Sequence, residues 1–446
     1  MKLYVTPGGP LNGTVDLPGD KSISHRAILF SALAEGISRV NNCLVAGVTE
    51  RMLAALQALG VRWELKGEEL TVHGRGLHGL NAPVEPIHCG HSATTMRLLA
   101  GACAAAGIPV VLEGSESLQS RPMSRIVDPL RVMDVSLKAL GEGCTAPLQL
   151  AARPEGQTLR GMAYRAPVAS AQVKSCLLLA GLAAESPLEY TEPSPSRDHT
   201  ERMFSQMGAG IKRKERRDGS VQVVLKPRRD RAMHPVDMAV PGDISAAAFL
   251  MVAALITPGS DVLLKGVGLN PTRTGILVAL QNMGAQIKVQ HLRQIHGEPV
   301  GDLHVRHSPL QGIVVGDPLV VRMIDELPVL GVAAAYADGE TTIDDAGELR
   351  LKETDRISAL CEELGKLGVA IEAQEEGFTI QGGTPLKGGR VKAHGDHRMA
   401  MALAVAGLGA ERAVEIEGAE VVKESFPAFT RTLNALGEKV AFKEEA

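Results

Sequence analysis

One pattern returns six times along this chain and restricts the possible fold more than any other feature. A short polar start opens a helix-length run rich in Ala, Leu, Met and Gly, and a turn then leads into a β-rich stretch. The starts are Pro18-Gly19-Asp20-Lys21-Ser22, His88-Cys89-Gly90-His91-Ser92, Val168-Ala169-Ser170-Ala171-Gln172, Pro241-Gly242-Asp243-Ile244-Ser245, Ile324-Asp325-Glu326-Leu327-Pro328 and His394-Gly395-Asp396-His397-Arg398. Intervals of roughly 70–85 residues make this an internal repeat too long for an ordinary solenoid. Helices so rich in small and apolar residues are expected to be buried on several sides. Three units per domain is the simplest partition of the resulting α/β chain. The near-identical Pro-Gly-Asp-x-Ser openings are equivalent points and natural crossings, which gives domains of 21–239 and of 1–20 plus 240–446.

The first copy, residues 18–36, shows the local logic. Ile28, Leu29, Ala32 and Leu33 fall at helical spacing, with Gly36 as the expected stop and Ser22 or Ser24 as the expected N-cap. Lys21 and Arg26 crowd the helix start, the end that carries partial positive charge and receives anions. Taken alone, they fit solvated surface charge or an anion site equally. Arg97 and Arg398 stand near other helix starts in the same way. If the buried helices run parallel, their starts meet on one face of each domain. Two such faces opposed would make a cleft of positive field with room for a polyanion.

Composition narrows the classes. With 446 residues, 45% hydrophobic and 22% charged, the chain has ample core for two domains. No run approaches about eighteen apolar residues, and residues 1–20 lack the pattern of a signal peptide, so no membrane association is expected. Six scattered cysteines without a C-x-x-C pair suit reduced thiols in a cytoplasm. A net charge of −4 and 3% aromatics argue against nucleic-acid binding. The basic runs 212–217 and 226–231 flank a strand-like VQVVL, and their interspersed acids fit a solvated hairpin. His88/His91 and His394/His397 have His-x-x-His spacing, but no carboxylate or Cys pair with ligand spacing accompanies them, so no metal is expected. His25 reads as a hydrogen-bonding residue of the helix start.

Seven stretches carry a resemblance when taken together and in order. They are LPGDKSISHRA (17–27), GHSATTMR (90–97), RPM (121–123), PVASAQ (167–172), SRDHTE (196–201), RLKETDR (350–356) and DHRMAM (396–401). The chain resembles the 5-enolpyruvylshikimate-3-phosphate synthases over almost its whole length. That resemblance implies two domains of three βαβαββ units each, closing on substrates in the cleft between them. It further implies transfer of the enolpyruvyl group of phosphoenolpyruvate to the 5-hydroxyl of shikimate 3-phosphate, with no cofactor, in a cytoplasmic monomer. At about −1.5 to −2 per phosphate, the two substrates need on the order of five compensating charges. The matching positions supply eight cations, Lys21, Arg26, Arg121, Arg197, Lys352, Arg356, Arg398 and Lys423, a surplus suited to an anion cleft rather than to packing.

By the same resemblance, Lys21, Ser22, Arg26, Ser170, Ala171, Gln172, Arg197, Asp325 and Lys352 would contact shikimate 3-phosphate. Lys21, Ala93, Arg121, Gln172, Arg356, Arg398 and Lys423 would contact phosphoenolpyruvate. Asp325 would take the hydroxyl proton, its bland alternative being a helix N-cap, and Lys21 or Glu353 would protonate the methylene carbon. Three positions depart from the family pattern: His91 stands where Asn is usual, Glu348 where Asn is frequent, and Ala93 where glyphosate-sensitive members carry Gly. The Ala93 methyl and the PVASAQVKS stretch resemble the glyphosate-tolerant class. Two rivals remain. A transferase acting on UDP-N-acetylglucosamine typically has Lys-Asn at 21–22 and a Cys in the loop before Arg121-Pro122, and this chain has neither. RNA 3′-phosphate cyclases share related repeats. Residues 153–161 and 289–305 have no assigned role.

Overall fold

The computed structural model describes residues 1–227, 232–437 and 439–443. The end of the second basic run, residues 228–231, lies outside them. The described chain forms two units, each with its own core. The first comprises Gly19–Val240 with Ile295–Glu298, and the second Met1–Pro18, Pro241–Gln294 and Pro299–Ala446. Each is described by itself below.

In the first unit the repeat helices are α1 (Lys21–Leu33), α2 (Ala93–Ala106) and α3 (Ala171–Gly181), joined by the shorter α4 (His199–Gln206). In the second they are α5 (Ile244–Ile256), α6 (Leu327–Tyr336) and α8 (His397–Leu408), with α7 (Arg356–Lys366) between the last two. Their composition dictates their place. All thirteen residues of α5 and all twelve of α8 are buried, which leaves no polar face to turn outward, so these helices form the centre and the sheets wrap them. Small residues permit the close approach. A Cβ on Gly101 of α2 would come 2.2 Å from the Cys176 carbonyl oxygen of α3, so Gly101→Ala would force these two helices apart.

Among the described residues, the wrapping layers of the two units consist of six four-stranded sheets. Each contains one parallel pair next to an antiparallel one, as where strand Leu188–Glu192 pairs in parallel with Ala163–Arg165 and antiparallel with Val221–Lys226. The parallel partner enters across a helix, as a crossover requires. The strand Lys2–Thr6 pairs with Val414–Glu417 and Lys439–Lys443, while Asn12–Asp16 pairs with Asp261–Gly268. These pairings place the start of the chain in the second unit. The first basic run enters a hairpin of Gly210–Glu215 and Val221–Lys226 whose Lys212, Lys214, Arg216 and Arg217 are exposed. Among the described residues, no helix is long and apolar enough to cross a membrane. All six cysteines are unpaired.

Two sequence expectations about α1 need correction. Its N-cap is Asp20, whose carboxylate accepts the Ile23 N–H at 2.9 Å. An anionic cap complements the positive helix end better than a hydroxyl. It frees Ser22 and Ser24 for other partners. The helix stops at Leu33, before Gly36, because the chain extends at Ala34 and strand Glu35–Asn41 begins at once.

Candidate active site

In the first unit the starts of α1, α2 and α3 come within hydrogen-bond reach of one another. Arg26, 2% exposed, donates from Nε to Thr200 Oγ1 at 2.7 Å, from Nη1 to the Ser22 carbonyl at 2.9 Å and from Nη2 to Ser175 Oγ at 2.8 Å. Arg197 donates to Ser22 Oγ at 3.0 Å. Arg97 orients Gln172: its Nη1 donates to Gln172 Oε1 at 2.6 Å, and Gln172 Nε2 donates to Thr94 Oγ1 at 2.9 Å. The second terminal nitrogen of Arg97 holds the Pro122 carbonyl at 3.1 Å, next to buried Arg121. Ser170 caps α3 through the Val173 N–H, so Ala171 is its first residue, just as Ala93 is the first residue of α2. Sequence reading named the cations of this group but missed Thr200, Ser175 and Thr94. These hydroxyls neutralise no charge; they fix where the guanidinium and amide groups point.

His25 behaves as a neutral link. Its Nδ1 donates to the Lys21 carbonyl at 2.7 Å, which leaves Nε2 to accept from Ser92 Oγ at 3.2 Å. Burial pushes its pKa down to about 4 from 6.5. The unfolded chain therefore takes up this proton first as the pH falls. The contribution of His25 is complete above about pH 6.5 and is lost as the pH drops toward 4. Between pH 7 and pH 5 this amounts to about 2 kcal/mol. Urea unfolding of His25→Gln is expected to lose that much less stability over the same interval than the unsubstituted chain does.

In the second unit the polar starts of α5, α6 and α8 gather a denser set of charges. Asp325 lies just before α6, and Glu326, the next residue, takes the N-cap position. The Asp325 carboxylate is approached by Arg356 Nη1 at 3.3 Å, Lys352 Nζ at 3.7 Å and Arg398 Nη2 at 3.7 Å. Arg398 Nη1 also holds the Asp325 carbonyl at 3.1 Å. Arg356, 1% exposed, meets Asp396 at 2.7 Å and Glu353 at 2.6 Å. Burial alone would lower its pKa, but the charges of Asp396, Glu353 and Asp325 outweigh burial and raise it. Asp396 does double duty, since it also caps α8 through the Arg398 and Met399 N–H groups. Deeper in the unit, Glu326 is joined to Ser245 of α5 and lies 3.8 Å from Arg273. Lys423 is exposed in the 3-10 turn Ala419–Glu424, and Glu348 is half-buried in the turn Gly347–Leu351. The cations of this unit thus come with carboxylates, a pairing that a count of basic residues does not reveal.

The histidine pairs separate. His88 lies in a short strand and accepts from the Gly90 N–H, while exposed His91 meets Ser115 Oγ at 2.9 Å. His394 sits 2.5 Å from Glu363, and His397 opens α8. Asp198, His199 and Glu298 do converge, but Arg202 pairs with Asp198 at 2.8 Å and supplies a cation there already. A cavity of about 680 Å³ in the first unit is lined by Leu33 and Leu182, at the far ends of α1 and α3, and by Arg75 at the end of strand Glu69–Arg75. It includes none of the expected site residues. Arg153 and Thr158, from a stretch without an assigned role, also line it, and Arg153 caps the last carbonyls of α2.

Comparison with known proteins shows what the chain as a whole is similar to. A protein named 3-phosphoshikimate 1-carboxyvinyltransferase from Syntrophomonas wolfei is 48% identical over 428 residues, covering 96% of this chain and 97% of its own. Its namesake from Roseiflexus castenholzii is also 48% identical, over 96% and 98%. A solved structure of EPSP synthase from Acinetobacter baumannii superposes with a TM-score of 0.85 at 41% identity, covering 99% of this chain and 100% of that one. The enolpyruvyl transferase NikO from Streptomyces tendae, at 18% identity and a TM-score of 0.80, shares the fold. With the family model matching residues 5–433, the chain belongs to the EPSP synthase (3-phosphoshikimate 1-carboxyvinyltransferase) family.

Proposed function

We propose that Asp325, encircled by Lys352, Arg356 and Arg398, is the general base of an enolpyruvyl transfer from phosphoenolpyruvate to the 5-hydroxyl of shikimate 3-phosphate. The convergence of three cations on one partly exposed carboxylate, at the start of a buried helix, carries this reading. Arriving anionic groups compete with Asp325 for those cations, and a carboxylate relieved of them is free to accept the hydroxyl proton. Ser22, Arg26, Ser170, Ala171, Gln172, Arg197 and Lys352 hold shikimate 3-phosphate. Lys21, Ala93, Arg121, Gln172, Arg356, Arg398 and Lys423 hold phosphoenolpyruvate, with guanidinium forks suited to phosphate and carboxylate.

Lys21 or Glu353 delivers a proton to the methylene carbon as the 5-oxygen bonds to the adjacent carbon. The resulting tetrahedral adduct then loses a proton from its new methyl group and expels phosphate from the same centre the oxygen attacked. Both proton transfers require groups fixed within hydrogen-bond reach of the reacting atoms. The enzyme acts as a cytoplasmic monomer without nucleic acid; six unpaired thiols fit a reducing compartment.

A phosphate-release assay tests this directly. Release is expected only when shikimate 3-phosphate and phosphoenolpyruvate are both present, and release with UDP-N-acetylglucosamine as the acceptor instead would favour the rival transferase. The buried Ala93 methyl at the first turn of α2 should crowd glyphosate, the slightly longer mimic, more than phosphoenolpyruvate. Glyphosate is expected to inhibit weakly. Ala93→Gly should lower its inhibition constant at least ten-fold and leave the KM for phosphoenolpyruvate within about two-fold.

A further inference from the structure

Helix α3 carries a lysine where its neighbours call for an apolar residue. Lys174 follows Val173, precedes Ser175-Cys176-Leu177, and is fully buried. Its Nζ lies 2.8 Å from Glu192 Oε1 and 2.8 Å from Glu201 Oε1, both carboxylates buried as well. It also reaches the Ser196 carbonyl at 3.4 Å. Glu192 then grips the same serine twice, accepting its N–H at 3.1 Å and its hydroxyl at 2.6 Å. The next residue is Arg197, which donates to Ser22 Oγ. Glu201 sits in the first turns of α4 beside Thr200, the partner of both Arg26 and Ser175. Consecutive residues of α3, Lys174 and Ser175, therefore lead to the two guanidiniums read above as shikimate 3-phosphate ligands.

A buried charge trio is a poor way to stabilise a core. Apolar residues of similar volume commonly do as well or better, because each ion loses its hydration. One lysine facing two carboxylates also leaves an excess negative charge inside the unit. Burial raises the pKa of Glu201, and Lys174 opposes that rise. Such a trio makes sense where it fixes the direction of something else, and here the chain it holds is the segment leading into Arg197.

We propose that Lys174 is a positioning residue. Through Glu192 it sets Ser196 and hence the direction of Arg197, and through Glu201 it sets the Thr200 hydroxyl that aims Arg26. Both guanidiniums thus stand ready for an anionic group of shikimate 3-phosphate. This rests on the reading of Arg26 and Arg197 as ligands of shikimate 3-phosphate.

Glu192→Leu is the sharpest test. It cancels the excess charge and keeps the Lys174–Glu201 pair, so the fold should hold, yet its side chain can neither accept the Ser196 N–H and hydroxyl nor, as a glutamine amide would, donate to that hydroxyl. Isothermal titration of the full chain is expected to show at least a ten-fold rise in the Kd for shikimate 3-phosphate, with a cooperative melting transition retained and the KM for phosphoenolpyruvate within two-fold. Lys174→Met should weaken binding of the sugar phosphate further; if it does not fold, Glu192→Leu still decides. Glu192→Leu binding within two-fold of the unsubstituted chain would overturn the positioning role. Failure of the unsubstituted chain to bind shikimate 3-phosphate at all would instead overturn the ligand assignment beneath it, and the proposal with it.

Discussion

Asp325→Asn is expected to lower kcat by roughly 10²–10⁴-fold, the range for loss of a positioned general base, while the KM for phosphoenolpyruvate stays level or falls. The second part is the more diagnostic. In the present structure Lys352, Arg356 and Arg398 all face the Asp325 carboxylate, so an anionic substrate must compete with it for them. Removing that charge removes the competition. A purely structural role for Asp325 predicts the reverse, poorer substrate binding and a lower Tm, because three cations would lose their shared partner. Steady-state kinetics with each substrate varied separately, together with calorimetry, distinguishes the two.

Arg356→Met carries the second large effect. Arg356 is 1% exposed and contacts Asp396, Glu353 and Asp325. Deleting one member of a buried ionic set costs about 3–5 kcal/mol, since the remaining charges stay desolvated without their partner. For a unit of this size that lowers Tm by on the order of 10 °C. The fully buried Asp396 also caps α8, so the loss should reach the position of Arg398 as well. Catalytic efficiency with phosphoenolpyruvate is expected to fall by about 10²–10³-fold. Arg356→Lys should recover part of the stability and little of the activity, because a point charge cannot reproduce the guanidinium fork. Recovery of full activity by lysine would show that charge alone matters at this position.

These expectations depend on contacts of very different legibility in the sequence. The six helix starts are legible because small-residue runs after a polar start leave few alternatives, and the resemblance implies which side chains face the chemistry. Cap identity was less legible. Asp20, Ser22 and Ser24 are all good capping residues by type, and only the path of the chain selects Asp20. The partners of Arg26 were invisible, since Ser175 and Thr200 lie 149 and 174 residues away and serine and threonine carry no signature for such a role. The same holds for Asp396, which lies 40 residues from Arg356. Lys174 stands in a largely apolar helix, but its two carboxylates sit on separate elements. Part of residues 289–305 finds a place with Glu298, which accepts from His199 Nδ1 at 2.8 Å; nothing in the local pattern of that hairpin announces it.

The addition–elimination chemistry assigned to Asp325 and its neighbours is tested most directly by running the reaction in D₂O and analysing the product by mass spectrometry. A proton delivered to the methylene carbon becomes one of three equivalent hydrogens of a methyl group before one is removed. The account therefore predicts deuterium in the vinyl group of the product. Product formed at full rate with no deuterium in that group would contradict it.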